Sequence, residues 1–240
     1  MAMNMEKMRQ KLQALNEKGN GGSDYWRPKD GTQTIRILPL EDGDPFVDFY
    51  LHYNLGNGGF LCPRKNFGDD CKVCEFGSEL YRTGDRTGDP ETIKQAKDLF
   101  ARQRFFSPVV VRGEEDRGVR IWGYGRKVYE YLLKLSLNPE YGDITCVDAG
   151  VDLTLNYGKP AGQRFPHTDL HPQRKSTPLS SDSTKVSEWL NNIPDVSNMH
   201  KRKTSAEVQA ILDEHLLSDT DAEENSSETS KYASSDVNEA

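Results

Sequence analysis

The sequence predicts a mainly β fold with inserted helices, of the α+β class. Short runs of alternating apolar and polar residues are typical of strands, glycine-rich polar turns separate them, and other segments space their apolar residues as helices do. Many short strands joined by such turns favour a small barrel or sheet. With 35% hydrophobic and 29% charged residues, the 240-residue chain can form a substantial folded core.

Strand-like and helix-like segments follow one another along the chain. The expected strands are 34–38, 45–53, 102–112 and a segment from 118 that changes to helix near Lys127, with a last strand pair within 143–157. Helical patterns cover 1–18, 75–82, 91–101, 187–193 and 204–217. The last is the clearest, because Val208, Ile211, Leu212 and Leu216 lie on one face of a helix.

Composition divides the chain into three regions. Residues 1–21 predict a helical arm and a glycine-rich linker, and residues 22–217 predict the folded core. Residues 218–240 hold one lysine against seven acids, a net charge of −6, whereas residues 1–217 hold 30 Lys and Arg against 31 Asp and Glu. The terminal segment has too few apolar residues to fold alone, so we expect a disordered acidic tail.

The sequence predicts a cytoplasmic protein with reduced thiols. It has no run of 18 apolar residues that could span a membrane, and its start lacks the apolar core of a secretory signal. Disulfides are rare in that compartment, so the four cysteines favour other roles. Cys146 stands alone, and we expect it to be a plain buried thiol.

The other three cysteines lie close together, and a histidine precedes them. Nine residues separate His52 from Cys62, eight separate Cys62 from Cys71, and two separate Cys71 from Cys74. Zinc prefers four nitrogen or sulfur ligands in a tetrahedron, and a Cys-x-x-Cys pair bends readily around one ion. The spacing predicts one zinc ion on these four residues. The alternatives are an ordinary half-buried histidine at His52 and a core thiol at Cys62.

The predicted zinc site has the composition of a structural site. A catalytic zinc keeps one position for water beside an acid or base, and nucleobase deaminases show His-x-Glu and Pro-Cys-x-x-Cys signatures. Here Tyr53 and Asn54 follow His52, and Asp70 precedes Cys71. The sequence also shows no nucleophile–base pair, phosphate-binding glycine loop or paired carboxylates, so we expect a protein that is not an enzyme.

Segment 102–127 combines cations with aromatic rings. It has seven Lys and Arg residues and three acidic residues, and the three acids fall in the turn between two strands. Cations follow a nucleic-acid backbone and rings stack on bases, so this mixture favours binding of single-stranded nucleic acid. Alternatively the rings are core; alternation predicts one ring of Phe105–Phe106 in the core and the other in a groove. The candidate contacts are Arg64, Lys65, Arg102, Arg104, Phe105, Phe106, Arg120, Trp122, Tyr124, Arg126 and Lys127.

The order of these features resembles the replicative single-stranded-DNA-binding proteins of T-even-type phages. The resemblance runs from Lys7 to Leu217 and is carried by motifs rather than by residue-level identity elsewhere. These motifs are Trp26, TIRILP (34–39), DPF leading to His52, the three cysteines, Arg102 and Arg104 before Phe105–Phe106 and PVVV, YGRKVY (124–129), DITC and NNIPDV (191–196).

The resemblance implies an OB-fold-like barrel with a small zinc subdomain and a cleft for single-stranded DNA in phage replication, recombination and repair. It places zinc on the histidine and three cysteines, and implies an acidic tail that recruits replication and recombination proteins in the host cytoplasm. It also implies self-association along DNA, although MEKMR (5–9) stands where the family has a Lys-Arg-Ser-Thr cluster. The alternative function is a zinc-stabilised adaptor that binds proteins only.

Overall fold

The protein has an α+β fold with a mixed sheet, described by a computed structural model for residues 25–55, 59–163 and 165–217. It divides into two compact units. The first comprises the chain up to Asp48 with Arg104–Met199, and the second comprises Phe49–Gln103 with the chain from His200 onward. The predicted fold class is confirmed. The expected N-terminal arm and acidic tail lie outside the described residues.

The elements follow one another in this order along the chain. The strands are β1 (Tyr25–Trp26), β2 (Gly31–Ile37), β3 (Val47–His52), β4 (Phe60–Leu61), β5 (Arg102–Val111), β6 (Arg120–Tyr124), β7 (Gly150–Gly158) and β8 (His167–Thr177). The helices are α1 (Pro63–Phe67), α2 (Lys72–Thr87), α3 (Pro90–Leu99), α4 (Arg126–Ser136), α5 (Ser183–Asn191) and α6 (205–217), with 3₁₀ turns at Glu115–Arg117 and Val196–Met199.

The first unit is built on strands in the order β1-β6-β5-β2-β7-β8. β1 and β6 are parallel, and the other neighbours in this order are antiparallel. Apolar clusters cover both faces of β5: Val109 and Val111 belong to the larger core, and Val110 packs with Leu38 and Trp189. A strand buried on both faces has a continuous apolar run, as PVVV does here.

A buried ion-pair network crosses this sheet. The Arg36 side chain is fully buried and donates from Nε to Asp152 Oδ1 at 2.7 Å, and Arg112 donates to both oxygens of Asp152 at 3.0 Å. Arg36 also donates to the Thr177 carbonyl, and Arg112 to the Leu179 carbonyl. Burial lowers the pKa of Arg36, while the Asp152 carboxylate opposes that shift. The network ties β2, β7 and the residue directly after β5 to the end of β8 and the chain that follows it.

The second unit packs helices around a short hairpin. Leu51 pairs with Leu61 and His52 with Phe60 where β3 and β4 run antiparallel. Its core combines the three clustered cysteines with apolar side chains of α2 and α3, and α6 contributes Val208 and Leu212. The predicted apolar face of this last helix is therefore confirmed at its two buried positions.

The structure corrects the sequence interpretation at three places. Residues 143–149 form turns rather than a strand, and β7 pairs instead with β8, a strand that was not predicted. Within the described residues β8 pairs with β7 alone, and such an edge strand tolerates Pro172 and several exposed polar residues, so its sequence lacks the usual pattern of a strand. The segment PRK (63–65) between the predicted zinc ligands Cys62 and Cys71, which the sequence predicts as part of a loop, begins helix α1 instead. Cys146 is half-buried rather than buried. No helix in the described ranges is long and apolar enough to cross a membrane.

Candidate metal centre and nucleic-acid interface

The second unit brings His52, Cys62, Cys71 and Cys74 together in its core. His52 ends β3, Cys62 directly follows β4, Cys71 directly precedes α2, and Cys74 lies in the first turn of that helix. All four side chains are buried, and their ligand atoms lie within 4.8 Å of one another. Four residues spread over a 23-residue stretch therefore place their ligand atoms close together.

The distances fit a tetrahedral ion. Cys62 Sγ lies 3.5 Å from Cys74 Sγ, and His52 Nε2 lies 3.4 Å from Cys71 Sγ and 3.6 Å from Cys74 Sγ. Tetrahedral bonds of about 2.3 Å to sulfur and about 2.0–2.1 Å to nitrogen place neighbouring ligand atoms about 3.5–3.8 Å apart. The cluster could therefore hold one metal ion.

A backbone contact orients the histidine toward the sulfurs. His52 Nδ1 lies 2.8 Å from the carbonyl oxygen of Leu99. Because a carbonyl only accepts, Nδ1 carries the hydrogen, and the lone pair of neutral His52 lies on Nε2. Metal-binding histidines commonly use their second ring nitrogen in this way. This contact fixes the tautomer that a metal requires.

The thiol groups of the three cysteines form hydrogen bonds with one another and lie at or near the starts of helices. Cys62 caps α1 and accepts from the Lys65 amide at 3.5 Å, and hydrogen bonds with Cys71 and Cys74 lower the pKa of Cys62. The same shared bonds raise the pKa of Cys74. Burial lowers the pKa of His52, but hydrogen bonds with Cys62 and Cys71 outweigh it and raise the value to about 9. A divalent cation replaces such shared protons when it binds thiolates.

The donor set is that of a structural metal site. Four protein ligands complete a tetrahedral shell and leave no position for a water nucleophile. Within the described ranges, the cluster contains no carboxylate that could serve as acid or base. The arrangement is suited to stabilising the second unit rather than to catalysis.

The predicted aromatic contacts are buried in the first unit. Exposed fractions are 3% for Phe105, 4% for Phe106, 1% for Trp122 and 3% for Tyr124. The expected division of Phe105 and Phe106 between core and groove is therefore wrong, because apolar groups cover both faces of the strand. Phe106 packs near Tyr25 and Gly123, while the other three rings belong to the larger core. Stacking of these rings on bases stays a prediction.

The predicted cations of the first unit gather near the start of α4. Arg126 and Lys127 are exposed in the first turn, and half-buried Arg104 donates to the Gly123 carbonyl at 3.3 Å. Arg120 instead is buried and pairs with Glu114 at 2.9 Å. In the second unit, Arg64 and Lys65 are exposed on α1, and Arg102 is exposed and pairs with Asp98.

Sequence reasoning missed the two most exposed rings of the described residues. Phe67 ends α1 and is 40% exposed, and Phe165, between β7 and β8, is 65% exposed. The guanidinium of Arg202 lies 4.6 Å from the Phe67 ring centre. The PRK string before Phe67 and the KRK string at 201–203 were visible signals, but their proximity depends on the fold.

Comparison with known proteins identifies the family of the chain. The family model described as "gp32 DNA binding protein like" matches residues 29–216, which include the cysteine cluster and segment 102–127. No curated protein gives a significant match to the chain. The matched region covers well over half of the sequence and supports single-stranded-DNA binding in general. The chain therefore belongs to the gp32-like family of DNA-binding proteins.

Proposed function

We propose that this protein coats single-stranded DNA without sequence preference in phage replication, recombination and repair, and that it is not an enzyme. The family match over residues 29–216 carries this proposal. The buried cluster of His52 and three cysteines supports a protein without catalytic activity, because a closed set of four ligands is typical of a structural metal site. The proposed domains are an arm at 1–21, a DNA-binding core at 22–217 and a tail at 218–240.

We propose zinc as the ion of this cluster. Three thiolates and one imidazole are soft or borderline ligands, which disfavour magnesium and calcium, and three distances of 3.4–3.6 Å between ligand atoms suit a tetrahedron. When bound, the ion fixes the β3–β4 hairpin to α2. The Leu99 carbonyl positions the histidine, and Lys65 contributes its amide hydrogen to Cys62.

The start of α4 is the proposed phosphate-binding site of the first unit. Gly125 precedes the helix and provides no side-chain cap, and the first turn contains no acidic residue. Unbonded amide groups at a helix start attract anions, and Arg104, Arg126 and Lys127 add positive charge there. Arg126 also pairs with Glu130 at 2.7 Å, so DNA would compete with that carboxylate.

Replacing Arg104, Arg126 and Lys127 together by glutamine tests this site. We expect weaker binding of oligothymidylate and a log–log salt slope that falls by roughly 0.7 for each phosphate that the protein no longer neutralises. Fluorescence anisotropy of a labelled oligonucleotide is suitable, because Trp26, Trp122 and Trp189 are all buried. Lys134→Gln, in the last turn of the same helix, is the matched control.

The same titration decides between the two functions. Wild-type protein that ignores oligothymidylate at low salt would favour the adaptor and contradict DNA coating. If the triple variant keeps the wild-type salt slope, the α4 site is excluded, but the proposal that the protein coats DNA is not.

The acidic tail is the proposed binding segment for replication and recombination proteins, and self-association along DNA is proposed for the arm. The tail also resembles DNA in charge, so we expect deletion of residues 218–240 to tighten binding of oligothymidylate at low salt. The gain should shrink as salt rises, because the Debye length is only about 8 Å at physiological ionic strength. Equal affinities of the truncated and full-length chains at low salt would argue against competition between tail and DNA.

A further inference from the structure

An exposed aromatic ring lies beside the candidate metal site of the second unit, which is formed by His52, Cys62, Cys71 and Cys74. Phe67 is the last residue of α1, and 40% of its surface is exposed, whereas the rings predicted from segment 102–127 are buried. Base stacking needs an accessible ring face with cations nearby. Phe67 meets the first condition in this unit without any rearrangement of a core.

The fold adds a cation to this ring from a distant part of the chain. Arg202 Cζ lies 4.6 Å from the Phe67 ring centre, and Arg202 Nη2 pairs with Asp69 Oδ2. The segment with Arg202 enters α6, whose Val208 and Leu212 pack in the same core as the clustered cysteines. Packing of α6 therefore keeps Arg202 beside Phe67 at the end of α1.

The surroundings of the ring carry a positive balance. A cavity of about 460 Å³ beside α1 is lined by Pro63, Asp69, Asp70 and residues 202–205. Arg202 pairs with Asp69, Arg64 and Lys72 share Glu75, and Glu207 accepts from Thr204 beside Lys203. Counting Asp70 with these acids, the cations Arg64, Lys65, Lys72, Lys201, Arg202 and Lys203 are six against four.

Contacts at both ends of α1 and along it hold the Phe67 ring in place beside the four candidate metal ligands. α1 lies between two of the clustered cysteines: Cys62 caps its start, and Gly68 ends it in the left-handed conformation with φ 77°. The Asn66 side chain bonds the carbonyls of Tyr50 and Cys62, at 2.7 and 2.8 Å. A five-residue helix is too short to persist alone, so these contacts determine where Phe67 points.

We propose that Phe67 and Arg202 form a subsite for one nucleotide of single-stranded DNA, with the base stacked on the Phe67 ring and the adjoining phosphate bound by Arg202. This subsite deepens the proposed function and depends on it. Arg202 covers one ring face in the free protein and moves to the phosphate as the base stacks. Such a subsite grips any base, since every base offers a ring face.

Two single variants separate the stacking contact from the phosphate contact. Phe67→Leu keeps an apolar side chain but removes the ring, so affinity for a short oligothymidylate should fall about five- to 150-fold with an unchanged salt slope, as expected for stacking of about 1–3 kcal/mol. Phe67→Trp should restore binding. Arg202→Gln should lower the slope of log affinity against log salt by roughly 0.7.

Controls separate failure of the subsite from failure of the fold. Tyr81→Leu removes another exposed ring of the same unit and should bind as the wild type does. Retained metal and protected thiols in Phe67→Leu show that the cluster is intact. Wild-type affinity in Phe67→Leu, while the wild type itself binds, would overturn the subsite and leave DNA coating standing; no binding by the wild type would overturn both.

Discussion

Replacement of Cys71 by serine is expected to unfold the second unit and leave the first folded. Cys71 Sγ lies 3.4 Å from His52 Nε2, and the core of the unit is built directly around the clustered cysteines. Structural zinc sites contribute folding free energy of about 10–16 kcal/mol in small peptides, comparable with the whole stability of a domain. Hydrogen exchange should show loss of protection in α2 and α6, and the zinc content should fall below one equivalent.

Cys146→Ser is the matched control, because Cys146 is half-buried and is not part of the metal cluster. That variant should retain one zinc and the wild-type exchange pattern. Acid should have the same effect as Cys71→Ser, because a cysteine binds the ion only as the deprotonated thiolate. The stability that the metal contributes is therefore present at neutral pH and is lost as the pH falls. A Cys71→Ser protein with full zinc content and native protection of α2 would refute the proposed ligand set.

Replacement of Asp152 by alanine is expected to destabilise the first unit by about 3–5 kcal/mol. Asp152 accepts from Arg36 at 2.7 Å and from Arg112 at 3.0 Å, and Arg36 is fully buried. Removing the carboxylate leaves two neighbouring cations without their counter-charge in a medium that solvates them poorly. The midpoint of thermal unfolding should fall by roughly 6–20 °C.

Glu130→Ala provides the comparison for this variant. Glu130 belongs to an exposed pair with Arg126, with side chains 48% and 80% exposed, and such pairs add little to stability. Urea unfolding followed by circular dichroism should therefore separate the two carboxylates clearly. Equal midpoints for Asp152→Ala and Glu130→Ala would mean that the buried network adds nothing to the fold.

Local chemistry made the candidate metal site and most elements predictable. The Cys-x-x-Cys pair, a third cysteine and a histidine in a short segment have few arrangements other than one tetrahedral site. Strands β2, β3, β5 and β6 and helices α3 and α6 follow from residues that are close in sequence. In the same way, the acid-free first turn of α4 after Gly125 is a local property.

The sequence by itself determined the α+β class, the four residues of the candidate metal site and the family resemblance. Only the tertiary structure decided which rings are exposed, because alternation distinguishes a buried face from a solvated face only where one face is solvated, and apolar clusters cover both faces of β5. It also decided that Arg202 lies against Phe67 and that Asp152 forms ion pairs with two arginines. Such contacts join distant segments, and their energies depend on burial that no local pattern encodes.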